Sequence, residues 1–163
     1  MNPREPRSGC LNLRPGNVPG LLRAAALRED WGDLEGAADL LSRALEETPA
    51  FESEQTAWIL TSLARVDRMS AKLDAAQSLS QRALASFPDY DAALEELSGV
   101  HMTQHREAEA IELLQKRNLH FPSSQSAYLL ATALERAGRV EGAQTAFGQF
   151  ERTAIEIHRP SCK

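Results

Sequence analysis

Two Phe-Pro pairs, Phe87-Pro88 and Phe121-Pro122, stand 34 residues apart, and each closes a run of apolar residues set at helical intervals. Proline lacks a backbone N–H and disfavours helix in the residue before it, so each pair marks a helix end. An interval of this length holds two short helices and their turns, a unit that cannot bury its apolar face alone and must stack on copies of itself. Thr48-Pro49 supplies an earlier closure, 39 residues before Pro88. The spacing therefore predicts stacked helix pairs, with five surplus residues in the second unit placed in a longer loop and first helix.

Between these closures apolar residues recur three and four apart, the stripe of an amphipathic helix. Leu21, Leu22, Ala24, Ala25 and Leu27 lead to a turn at Trp31-Gly32-Asp33, and Leu34, Ala37, Ala38, Leu41, Ala44 and Leu45 follow. The second unit opens near Ser53, expected as an N-cap with Glu54 in the first turn. It continues through Trp58, Ile59, Leu60, Leu63, Ala64 and Val66 to a turn around Met69 to Lys72, then Leu73, Ala76, Leu79, Ala83, Leu84 and Phe87. The third carries Ala93, Leu94, Leu97 and Ser98, a turn region from His101 to Arg106, then Ala108, Ala110, Ile111 and Leu114. In the fourth, Ala127, Leu130, Ala131 and Leu134 precede a turn at Gly138-Arg139, with Val140, Ala143, Phe147 and Phe150 beyond it.

The expected fold is all-α, with units at about 20–49, 53–88, 91–122 and 124–158 and a tail at 159–163. The last helix is expected to run on through Ala154, Ile155 and Ile157 and to cover the end of the stack, because terminal repeats need a cap. Residues 1–19 contain four prolines and two glycines without any period, and are expected to be disordered.

Charge and cysteine usage narrow the function classes. The formal net charge is -5, of which residues 1–19 contribute +2 from Arg4, Arg7 and Arg14 against Glu5, leaving -7 for the helical body. An acidic body without a basic stripe argues against nucleic acid as a partner. Cys10 and Cys162 lie near opposite ends without zinc or redox spacing, so they are expected as free thiols in a reducing, cytoplasmic setting, with an end-to-end disulfide the alternative. No apolar segment precedes Ser8-Gly9-Cys10 as a signal peptide would require, and no run is long enough to span a membrane.

With these residues laid out, the chain resembles the tetratricopeptide repeat family over about 20–158. Ala37, Ala76, Ala110 and Ala143 match the small residue of the second helix; Ala25, Ala64, Ser98 and Ala131 match that of the first. Both are small where two helices cross closely. Pro49, Pro88 and Pro122 match the closing proline, and Leu63, Leu97 and Leu130 match the large apolar neighbour. Departures stand at Arg28, Asp67 and His101, where the family usually has a large aromatic or aliphatic side chain, and at Arg117, usually alanine.

The resemblance implies a right-handed α-solenoid whose concave face, lined by the first helices, receives a peptide or a partner helix. Carried onto this sequence, the groove residues are Arg23, Trp58, Thr61, Ser62, Arg65, Arg68, Glu95, Glu96, Met102, Tyr128, Leu129 and Thr132. Trp58, Met102 and Tyr128 stand out as anchors, the alternative being ordinary packing between repeats. Arg65 and Arg68 could grip a partner carboxylate, or simply form a solvated face. A subset of the family clamps chaperone C-terminal carboxylates with lysines, asparagines and an arginine; here those places hold Leu22, Ala26, Ser62, Ala92 and Glu96, so that clamp is missing.

No nucleophile elbow, phosphate loop or CxxC occurs, and neither a catalytic site nor a cofactor is expected. His101 and His105, four apart with Glu107 and Glu109 nearby, form the one candidate metal pair, with a packed or loop histidine pair as the alternative. The expected function is a non-catalytic adaptor for a protein or peptide; self-association, as a homo-oligomer or as part of a larger protein, is the second possibility.

Overall fold

The computed structural model describes residues 17–157, and among them eight helices follow in order with no strand. These are α1 (Val18–Asp30), α2 (Leu34–Glu47), α3 (Ser53–Met69), α4 (Leu73–Ser86), α5 (Asp91–Thr103), α6 (Glu107–His120), α7 (Ser124–Arg136) and α8 (Val140–Ile157). Each packs on its neighbour in sequence, and α3 also meets α5. The apolar residues therefore form no single centre: one cluster joins α1, α2 and α3, a second joins α3, α4 and α5, and a third joins α6, α7 and α8. Such a core runs along the stack.

The eight small positions are where the pairs close. Ala25, Ala64, Ser98 and Ala131, with Ala37, Ala76, Ala110 and Ala143, each expose 4% or less. A larger side chain there would force the helices apart, at about 1–3 kcal/mol for overpacking. The extra five residues of the second unit divide between helix and loop. Four lie in α3, which has 17 residues against 13 in α5. The fifth lies after the proline, where residues 50–52 precede α3 but residues 89–90 precede α5.

Inside each unit the chain turns by one device used four times. Gly32, Ala71, His105 and Gly138 have φ of 77°, 60°, 58° and 70°, the left-handed conformation that follows a helix end. The next residue's N–H reaches back to the last turn: Asp33 to the Arg28 carbonyl, Lys72 to Asp67, Arg106 to His101 and Arg139 to Leu134, at 2.8–2.9 Å. Arg28, Asp67 and His101, the places where the family pattern is broken, are thus the residues that accept this bond. An apolar contact commonly spans it. Here the first two units substitute ion pairs, Arg28 with Asp33 and Asp67 with Lys72. Asp33 also caps α2 by accepting the Gly36 N–H at 2.9 Å, and the Arg28 and Gly36 hydrogen bonds hold its carboxyl below the usual carboxylate range.

Several local expectations are corrected. Helix α1 begins at Val18, with Asn17 accepting the Gly20 N–H at 3.1 Å, so the helical body starts ahead of Gly20. The cap of α3 is Glu52, without a side-chain bond, and Ser53 is the first helical residue. His101 lies inside α5, and the turn is confined to 104–106. At the far end α8 runs 18 residues, with Phe147 and Phe150 against the Tyr128 ring at centroid distances of 6.4 and 5.8 Å. Residues 1–16 and 158–163, with the expectations placed on them for Cys10, Cys162 and Pro160, lie outside the described residues.

Candidate functional site

The first helices of the third and fourth units, α5 and α7, part to leave an open cleft of about 430 Å³, in the size range of ligand pockets. From α5 come Glu95, Glu96, Ser98, Gly99 and Met102; from α7 come Tyr128, Leu129, Thr132, Ala133 and Arg136; Arg68 of α3 and Leu114 of α6 complete it. Period decides this membership. Tyr128, Thr132 and Arg136 follow at four-residue steps, which puts them on one stripe of α7.

The charges of the cleft are arranged in pairs. Arg68 is bound to Glu96, whose side chain is almost wholly buried. Glu95 meets the Arg117 guanidinium at 2.8 Å and accepts from the Gln125 amide at 3.1 Å. Arg117, 5% exposed, also donates to the Ser126 hydroxyl at 2.6 Å and to the Asp91 carbonyl at 3.3 Å. It therefore ties α6 to α5 and to α7 where the family usually has alanine. Arg136 is exposed and, among the described residues, reaches only the Met102 carbonyl, at 3.4 Å.

Hydroxyls face the same space. Thr132 donates to the Leu129 carbonyl at 2.9 Å and Ser98 to the Glu95 carbonyl at 2.7 Å, which leaves their oxygen lone pairs as acceptors. Tyr128 is 48% exposed, with its ring propped by α8, and offers an apolar face to the cleft.

No protein-family model and no curated protein matches the sequence. Among solved structures, MamA superposes with a TM-score of 0.74 at 22% identity, covering 90% of this chain and 84% of that one. BtubC (BKLC) from P. vanneervenii gives 0.73 at 19% identity over 90% and 67%. A tetratricopeptide repeat protein from Parabacteroides merdae gives 0.70 at 19% identity over 89% and 55%. The chain has the tetratricopeptide repeat fold. Its helix pairs form the right-handed α-solenoid that the resemblance implied.

Within the tetratricopeptide repeat fold, the twelve residues carried over as a groove divide into four settings. Arg68, Glu95, Glu96, Met102, Tyr128, Leu129 and Thr132 line the cleft together. Arg23 and Trp58 lie apart from it, around a shallow depression with Pro19, Leu22 and Ala26. Thr61 and Ser62 are 8% and 5% exposed, and their hydroxyls donate to carbonyls of their own helix, Ala57 at 2.8 Å and Trp58 at 3.0 Å. Arg65 makes a two-pronged bond to Glu29, at 2.8 and 2.9 Å, and that carboxylate holds its guanidinium above the ordinary arginine value. Arg65 and Arg68, expected as a joint grip on a partner, each hold a carboxylate of their own chain.

His101 and His105 do not converge. His101 is 7% exposed inside α5, whereas the His105 side chain is 84% exposed in the turn, 3.8 Å from Glu107. No group of three His, Cys, Asp or Glu side chains placed for a metal occurs among the described residues. Burial and then the Arg106 charge push the His101 pKa below its ordinary value, which disfavours the charged ring. Its Nδ1, like the neighbouring Arg106 Nε, is buried without a hydrogen-bond partner among the described residues. Among the described residues no helix is long and apolar enough to cross a membrane.

Sequence reasoning passed over Ser98, Gly99, Leu114, Ala133 and Arg136 as parts of the cleft. Arg136 carried a signal, being one helical turn beyond Thr132. The role of Arg117 carried none, since it depends on Glu95 and Ser126 meeting it from two other helices.

Proposed function

We propose that the chain is a non-catalytic scaffold that binds a peptide or partner helix in the cleft between α5 and α7. The observation that carries this reading is the joint lining of one open space by an apolar wall, Met102, Tyr128 and Leu129, and by hydroxyl acceptors and a guanidinium. Apolar and aromatic surface supplies contact energy, and a few polar groups fix direction. Glu95 and Glu96 are held by Arg117 and Arg68, an arrangement suited to a rigid wall rather than to an acid or base poised for proton transfer.

The test is selection of binders from a displayed peptide library on the full chain, followed by titration against Tyr128→Ala and Leu129→Asp. Loss of about tenfold or more in affinity, with helicity unchanged, supports the reading. Unchanged affinity in both variants removes it.

A second reading, association between copies of the chain, draws on exposed apolar side chains away from the cleft, Phe51 at 84% and Leu119 at 77%. A mass that grows with concentration and falls back on Phe51→Ser with Leu119→Ser favours it.

A further inference from the structure

Resting on that reading of the cleft, we propose that its occupant is a peptide that sets one carboxylate against Arg136, next to an apolar side chain seated on Met102, Tyr128 and Leu129. The charge arrangement points to this chemistry. Glu96 is paired with Arg68, and Glu95 with Arg117, which also lies 3.8 Å from the Asp91 carboxylate behind the cleft. Arg136 lines the same space, yet among the described residues it has no carboxylate within ion-pair distance and reaches only a carbonyl at 3.4 Å. One cationic donor is therefore left uncompensated at the rim of an apolar wall, and a carboxylate is the group that a guanidinium binds most specifically.

The hydroxyls set polarity in the same sense. Thr132 spends its proton on a backbone carbonyl of its own helix, so toward the cleft it accepts hydrogen bonds, and Ser98, 3% exposed, does the same from deeper in the wall. A peptide backbone supplies the N–H groups they need, and Arg136 takes the acid. The number of acids is also limited. The chain carries a net charge of -5, and a run of acidic residues would be repelled by the surrounding surface while gaining a single guanidinium. The occupant thus has one acid beside Leu, Phe or Met, and affinity falls as salt is added.

The experiment uses the full chain and short, terminally blocked peptides in which a Leu, Phe or Met neighbours Asp, Glu, their amides, Lys or an acidic run. The one-acid peptides are expected to bind tightest, and replacing the acid by its amide weakens binding about tenfold. Arg136→Ala causes the same loss, the two losses do not add, and Arg136→Lys restores part of the affinity. Amide peptides as tight as acids, acidic runs as the tightest binders, or indifference to Arg136→Ala overturn the charge assignment. If Tyr128→Ala still abolishes binding in those cases, the cleft reading survives and this inference alone falls. If Tyr128→Ala also has no effect, both fall. Displacement of every peptide by self-association gives the cleft to a second copy, and overturns the proposal as well.

Discussion

The first helices of units one and two and those of units three and four both flank a depression, but an ion pair crosses the front of the former pair and not of the latter. Between α1 and α3 the Arg65 guanidinium is fastened to Glu29 by two bonds, and Thr61 and Ser62 turn their hydroxyls back onto their own helix. Between α5 and α7 the bridging cation is Arg117, which approaches from α6 behind and leaves the front to Met102, Tyr128, Leu129 and Arg136. A binding surface is therefore set by the side from which a neighbouring helix supplies the counter-charge. The turns differ in the same way: opposite charges face each other in units one and two, whereas unit three sets His101 beside Arg106.

The sharpest way to break this contrast is to remove the cation behind the cleft. Arg117→Ala strands Glu95 and leaves Ser126 without its buried donor, so it should cost about 3 kcal/mol, measured by urea unfolding. That sits at the low end for a broken buried pair because water reaches Glu95. A cost near that of a surface pair would show that the rear bridge does not support the cleft.

Ala110→Leu comes next. Ala110 is fully buried at the α5–α6 crossing, and about 2 kcal/mol of overpacking is expected there, against little change for Ala108→Leu on the exposed side of the same helix.

The turn of unit three gives a pH signature. His101 has a folded-state pKa below its ordinary 6.5, so its contribution to stability is complete above that value and is lost as pH falls below it. The other ionisable groups around it are Arg106, which reinforces the depression, and Glu109, which opposes it. His101→Phe removes this loss and flattens stability between pH 7 and pH 5, outside the range below 3.8 in which Asp33 and Asp89 titrate. An unchanged slope in a pH series of melts would refute the assignment.

Smaller still are the left-handed turn residues. An added Cβ at Gly138 meets nothing within 4 Å, so Gly138→Ala isolates the cost of positive φ, about 1 kcal/mol. Ala71→Gly should return about 0.5 kcal/mol, less than the full cost because glycine also loosens the unfolded chain. Equal melting temperatures for both variants and the parent would show that the four turns are not equivalent.

Much of the fold was legible in the sequence because it is a matter of period. The closing prolines, the alanines at 37, 76, 110 and 143 and the surplus in unit two all follow from counting residues, and counting is what a quasi-one-dimensional stack obeys. Glycine marked two of the four turns; the other two were bracketed at Met69 to Lys72 and His101 to Arg106, but Ala71 and His105 gave no hint of which residue takes the left-handed backbone. The cleft was legible only as a stripe of α7 and part of α5. Arg65 looked available in the sequence because Glu29, which occupies it, lies 36 residues away on another helix.

By itself, then, the sequence determined that this chain is a row of helix pairs crossing at small residues, since hydrophobic period and proline placement act locally and identically in every unit. Only the tertiary structure decided which charges are spent inside the row and which face out. An ion pair depends on the meeting of side chains from different units, and neither Arg117 nor Arg136 discloses from its place in the chain that one is buried among three helices while the other stands exposed.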